Sequence, residues 1–245
     1  MIDNNTINIG RKAASGYDDG LRQYFLKIYS LMSAALGITC ISAFVVFSIP
    51  FLSNLLFITS ANGSLIGITG LCWIVNLAPI AISLYFTFSF SKISAQNAKI
   101  LLWVYAILIG MSLSSLGFVY TGVPIAKTFL ICFSIFAGMS IYGYTTKKDL
   151  SSFGSFLYMR LLGLILASVD NIFFKSSNLE LILSSIGVLI FTGLIFYDTQ
   201  KLKDIYYNNN RNEKISIMAS FILYLDFINP FLFFKRCIGA RRGDD

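Results

Sequence analysis

Long apolar runs, separated by short polar stretches, make up most of the chain. Each run is close to the 20 residues that an α-helix needs to cross a lipid bilayer. There are about seven of them, and they cover approximately residues 24–47, 65–90, 98–120, 125–144, 153–174, 179–199 and 215–234. The pattern predicts an all-α, polytopic membrane protein with about seven transmembrane helices.

The stretches outside the runs define the predicted domain organisation. Residues 1–23 are a polar N-terminal tail, because they lack the apolar core that follows the charged start of a signal peptide. Residues 24–236 are predicted to form a single transmembrane helical-bundle domain, and residues 237–245 a short charged C-terminal tail. Residues 50–64 carry no charge and are interpreted as a loop.

Composition supports this class of protein and argues against several functions. Apolar residues make up 56% of the chain and charged residues 13%, whereas soluble domains average about 45–50% and about 25%. The chain has no histidine, which removes the usual catalytic triads and the side chain that ordinarily senses pH near neutrality. The four cysteines show no metal-binding spacing. We therefore expect neither a cofactor nor an enzymatic activity.

The chain has a net charge of +7. Because the basic residues flank apolar runs, we interpret them as residues that set the membrane topology, and we expect contact with anionic lipid and not with nucleic acid. Seven crossings place the tail on the same side as the loops after the second, fourth and sixth runs. These loops carry eight basic residues against two in the opposing loops, Lys127 and Lys175. The N-terminus is therefore predicted to be cytoplasmic. The basic residues at 235–242 then lie on the wrong side, so either the charge rule fails there or the last helix does not cross fully.

Small residues recur at helical spacing in three of the runs, where they let helix backbones approach closely. The three sets are Gly110, Ser114 and Gly117; Gly138, Ser140 and Gly143; and Ser184, Ser185 and Gly187. We expect them to serve helix packing.

One carboxylate lies in the middle of the last apolar run. Asp226 is about 11 residues inside it, and an ionisable group at such a depth costs about 2.5–3.5 kcal/mol unless it finds a partner, water or a proton. Asn229 lies on nearly the same helix face. Pro230 is expected to open the helix at Asp226, because a proline ring clashes with the carbonyl four residues before it. The alternative is a kinked helix with a neutral, hydrogen-bonded Asp226.

A second carboxylate, Asp198, lies near the end of the preceding run. It is either a surface residue paired with Lys201 or Lys203, or a partner of Asp226. The second reading requires the sixth helix to continue to about Tyr207, which would bring both aspartates to a similar depth. Two close carboxylates in a poorly solvated site share one proton. Protonated, the pair would hold the two helices together; deprotonated, it would repel itself and offer oxygen ligands to a transient Ca²⁺.

Three motifs resemble the bacterial branch of the Bax inhibitor-1 family: GYTTKKDLS at 143–151, FYDTQ at 196–200 and LYLDFIN at 223–229. The resemblance covers nearly all of the chain after the tail. It implies a seven-helix bundle whose last helix is enclosed by the other six, a pH-sensitive calcium leak, and a place in the cell inner membrane. It identifies Asp198 and Asp226 with the family's pH-sensing pair. A basic latch residue on the second helix has Lys92 as its nearest counterpart.

Two other functions remain open at this stage. Some bacterial relatives imply an interaction protein that modulates a membrane-bound quality-control protease. An intramembrane aspartyl protease would also use two membrane aspartates. Its signature needs Gly-x-Gly-Asp, however, where this chain has Tyr224 and Leu225 before Asp226.

Overall fold

A computed structural model describes residues 19–60, 65–89, 92–119, 122–146, 150–174, 176–208 and 213–238. Nine helices and two short strands occur in these ranges. They are α1 (Asp19–Ser48), α2 (Pro50–Leu56), β1 (Phe57–Thr59), β2 (Leu65–Ile68), α3 (Gly70–Ser89), α4 (Ala95–Leu113), α5 (Leu116–Val119), α6 (Gly122–Thr145), α7 (Ser151–Phe174), α8 (Ser177–Asn208) and α9 (Glu213–Ile238).

The predicted all-α membrane fold is confirmed. Six helical segments in the described ranges are long and apolar enough to cross a membrane, and Gly70–Phe86 adds a shorter apolar helix. The first helix begins at Asp19, five residues before the predicted start. This places the end of the predicted tail inside α1; residues 1–18 and 239–245 of the predicted tails lie outside the described residues.

The prediction for residues 50–68 was wrong in part. Residues 50–56 are helical, and β1 pairs with β2 in an antiparallel hairpin, so the second transmembrane helix begins at Gly70 and not at Leu65. β-Branched residues flank an Asn-Gly dipeptide at 62–63, which is a hairpin signal that the apolar run concealed. Thr69 closes the hairpin base, because its backbone N–H and its hydroxyl donate to the carbonyls of Leu56 and Leu55.

The last helix is central, as predicted. α9 packs against α1, α4, α6 and α8, and its Ser220, Leu223 and Tyr224 side chains are fully buried. Rings from several helices surround it: Phe221 stacks on Phe86 of α3 with centroids 4.5 Å apart, and Phe227 lies edge-on to Phe129 and Phe136 of α6. A polar residue on α9 is consequently surrounded by protein.

α9 crosses the whole bundle. Its start lies beside the start of α1, where Lys27 and Glu213 form an ion pair of 3.3 Å. Its far end lies beside the first half of α8, where Phe233 contacts Phe191 with ring centroids 5.7 Å apart. At 1.5 Å per residue, a 26-residue helix spans roughly 39 Å. This length is enough to cross a bilayer, so of the two alternatives for the last helix it favours a full crossing.

Close helix crossings depend on some of the predicted small residues. Gly110 of α4 leaves room for the backbone of Thr39, Gly143 of α6 for that of Phe196, and Gly187 of α8 for the ring of Phe233. Gly138 has no neighbour within 4 Å of the place where a Cβ would lie. In the α6 set, Gly143 therefore has a packing role and Gly138 does not.

Candidate functional site

The two aspartates lie on neighbouring antiparallel helices at a similar depth. α8 continues to Asn208, so Asp198 is ten residues, or roughly 15 Å, from its end. Asp226 is 13 residues, or roughly 20 Å, from the start of α9. Asp198 is 3% exposed and Asp226 5%. The two aspartates can lie side by side only if the sixth transmembrane helix extends past Lys203, and α8 does so.

The two carboxyl groups face each other closely enough to share a hydrogen bond when one of them is protonated. Oδ2 of Asp226 is buried and receives no hydrogen bond from the residues that the structure describes. A shared proton would satisfy this oxygen. Without that proton, two like charges lie side by side in a site poor in water.

A tyrosine of α7 completes the site. The hydroxyl of Tyr158 donates to Asp198, with distances of 3.2 Å to Oδ1 and 3.5 Å to Oδ2. Sequence reasoning missed this residue, because it is one of 36 Tyr and Phe residues and lies 40 positions before its partner. No local motif distinguishes it.

Lys201 acts electrostatically on both carboxylates. Its Nζ lies 5.8 Å from the centroid of the Tyr197 ring, a distance typical of a cation–π contact. Lys203 instead donates to the carbonyl of Tyr144 at 3.0 Å. Within the described ranges the only ion pair is that of Lys27 with Glu213. The reading of Asp198 as a surface carboxylate paired with a lysine is therefore wrong.

The other predicted residues lie at different distances from the site. Asn229 lines a cavity beside the pair. Pro230 is buried, and α9 continues past it to Ile238, so any opening is limited to the one backbone bond that proline cannot make. Phe227, Ile228 and Phe231 are buried on either side of the proline. Proline still lacks an N–H, so the Asp226 carbonyl has no helical donor. Lys92 is exposed in the turn after α3, and the structure does not bring it to the pair.

A cavity of about 870 Å³ lies between α7, α9 and the helices beside them. Asn171 and Glu180 line it near the end of α7 and the start of α8, and Leu225 and Asn229 line it next to Asp226. Ser83, Tyr105 and Ser168 add hydroxyl groups to a largely apolar wall. The cavity therefore approaches the pair from the side of the bundle opposite the N-terminal end of α1.

Aromatic rings pack tightly on the other side of the pair. Tyr24 of α1 lies against Tyr206 of α8 with centroids 5.3 Å apart, and Phe25 lies edge-on to Tyr144 of α6 at 5.1 Å. The bond from Lys203 to Tyr144 ties the same layer to α8. The pair thus lies between a cavity and a packed aromatic layer.

Comparison with known proteins agrees with this architecture. Residues 21–243 match the family described as inhibitor of apoptosis-promoting Bax1. An uncharacterized protein of Rickettsia prowazekii is 48% identical over 229 residues, which cover 92% of this chain and 93% of the relative. The inner membrane protein YbhL of Escherichia coli is 38% identical over 228 residues, which cover 91% of this chain and 94% of the relative. The resemblance drawn from the three motifs is confirmed: the chain belongs to the Bax inhibitor-1 family.

Proposed function

We propose that this protein mediates a pH-sensitive leak of Ca²⁺ across the cell inner membrane, gated by Asp198 and Asp226. The observation that carries the proposal is the facing of two buried carboxyl groups on antiparallel helices beside a cavity. A carboxylate pair is costly inside a membrane protein, and such residues mark ion and proton pathways.

The oxygen atoms around the pair suit calcium as the permeant ion. Two carboxylates, the Asp226 carbonyl without a helical donor and the Asn229 side chain at the cavity wall are all hard oxygen ligands. In the described ranges no cluster of three or more His, Cys, Asp or Glu side chains could hold a metal. Two carboxylates without a third acidic ligand favour brief binding, which a conducted ion requires.

Protonation supplies the gate. With a shared proton, the carboxyls bond to each other and keep α8 against α9. When that proton leaves, like-charge repulsion separates the helices and frees the oxygens for a cation. Proton and calcium therefore compete for one site, and calcium flux rises as pH rises.

The test is calcium flux into liposomes that contain the purified protein, measured across a series of pH values. Asp198→Asn and Asp226→Asn should each abolish the pH dependence, leaving flux either lost or permanently on. Asp204→Asn is the matched control, because Asp204 lies on the same helix but is exposed; it should behave like the wild type.

Wild-type flux profiles in both site variants would contradict the proposal. Absence of flux in the wild type, together with co-purification of a membrane protease, would favour the interaction protein instead. Peptide cleavage that disappears in both aspartate variants would favour the aspartyl protease.

A further inference from the structure

Tyr158 is the one side chain in the described ranges that donates a hydrogen bond to either aspartate. It reaches the pair from α7, a helix that packs mainly on α8. Asp198 therefore receives its donor from a third helix, outside the α8–α9 pair that carries the two carboxylates.

Close packing fixes the position of Tyr158. One turn before it, Gly154 leaves room for the ring of Tyr197, and on the facing helix Gly193 leaves room for Leu157. A Cβ at either glycine would collide with those side chains. The absence of two side chains thus sets the α7–α8 contact in the turn before Tyr158, which holds α7 close enough for the hydroxyl to reach Asp198.

Tyr158 lies about one helical turn before the part of α7 that lines the 870 Å³ cavity. The lining residues of α7 begin at Leu161, which is three positions after Tyr158 and so on the same helix face. On α9 the lining includes Leu225, the residue before Asp226. The cavity and Tyr158 are thus neighbours along α7, and the Tyr158 side chain is 40% exposed.

The groups that face Asp198 are few. Asp226 faces it from α9, Lys201 acts on it from α8, and Tyr158 bonds to it from α7; Tyr197 adds a ring next to Tyr158. A hydrogen bond to an ionised acceptor is roughly twice as strong as one between neutral groups. The Tyr158 donor therefore favours the ionised form of Asp198 over the protonated form.

We propose that Tyr158 is a positioning residue that sets the pH at which the aspartate pair loses its shared proton and the leak turns on. This inference rests on the proposed function for its flux readout. Its protonation readout does not depend on flux.

The test compares Tyr158→Phe with the wild type. The phenylalanine keeps the ring but removes the donor, so the midpoint of the flux–pH profile should move to higher pH by about one unit, the size expected for a hydrogen bond to a charged group. Tyr142→Phe is the control: Tyr142 is 53% exposed, and its ring stacks on Phe196 with centroids 4.8 Å apart. Its midpoint should not move.

Infrared titration of the protonated carboxyl band gives the second readout in the same samples. The band of Tyr158→Phe should persist to higher pH, and the substitution should have no further effect when Asp198→Asn is already present. An unshifted band and an unshifted flux midpoint would overturn the role of Tyr158. A shifted band in a protein that conducts no calcium would retain that role and remove the proposed leak. If Tyr158→Phe yields little folded protein, the carboxyl band is measured in the folded fraction. An unshifted band there would also count against the proposal.

Discussion

Asp198 and Asp226 combine an ionisable side chain with near-complete removal from water. Lys201 acts on both of them but forms no ion pair with either in the described part of the chain. We therefore expect the site to be most stable when the pair retains one shared proton, which reduces its charge from two negative charges to one. Asp226 could be recognised from sequence because it interrupts an apolar run. Tyr158 could not, since its role arises from the α7–α8 contact.

Asp226→Asn should change how stability depends on pH. In the unfolded chain the two aspartates are apart and release their protons at low pH, whereas the folded pair keeps one. The folded state therefore loses stability as pH rises. The asparagine variant lacks this loss, so at pH 8 its free energy of unfolding should exceed that of the wild type by about 1–3 kcal/mol. Near pH 4 the difference should shrink.

Thermal unfolding in detergent micelles at several pH values measures this effect. Asp204→Asn serves as the exposed control and should follow the wild-type curve. A constant difference between Asp226→Asn and the wild type at all pH values would show that the pair holds no shared proton.

At the scale of elements, the bundle is positioned by a few close crossings and by helices longer than the apolar runs. Helical spacing of small residues predicted a close helix contact at Gly143 but not its partner, which the structure gives as the backbone of Phe196 on α8. Apolarity alone did not separate the β1–β2 hairpin from the helix after it, since a hydrophobic run has no marker for its own secondary structure. The opening expected at Pro230 does not end α9, which continues to Ile238 and loses only the backbone bond that proline cannot make.

Gly143→Ala and Gly138→Ala form a matched pair on α6. A Cβ at Gly143 would lie 2.5 Å from the carbonyl oxygen of Phe196, whereas one at Gly138 meets nothing within 4 Å. We expect Gly143→Ala to lower the free energy of unfolding by about 1–3 kcal/mol through overpacking. Gly138→Ala should be neutral or stabilising by up to about 1 kcal/mol, because alanine favours a helix interior.

Equilibrium unfolding in a denaturing detergent gives the free energy of unfolding of both variants under the same conditions. The two substitutions are chemically identical, so equal losses of stability would mean that the close α6–α8 crossing is wrong.

At the scale of the whole molecule, α9 crosses the bundle completely and its ends lie on opposite sides. Twelve basic residues then belong to the side of the N-terminal tail and six to the other, with Arg160 inside α7. The charge rule still favours a cytoplasmic N-terminus, even with the basic residues at 235–242 counted against it. The basic residues at 235–242 thus reduce the excess of positive charge on the N-terminal side but do not reverse it.

Reporter fusions test this topology. A C-terminal alkaline phosphatase fusion should be active, because the C-terminus is expected outside the cytoplasm, and a C-terminal green fluorescent protein fusion should be dark. N-terminal fusion of the fluorescent protein should be bright. A bright C-terminal fusion would contradict the seven-crossing arrangement.

In the proposed function, one shared proton between Asp198 and Asp226 controls calcium passage. The most direct measurement records calcium flux and the infrared band of the protonated carboxyl in the same wild-type proteoliposomes during one pH titration. The two midpoints should coincide, and in Asp226→Asn the carboxyl band that remains, that of Asp198, should titrate at lower pH because no second carboxylate repels its charge. A calcium flux that changes with pH while the carboxyl band stays constant would contradict the account.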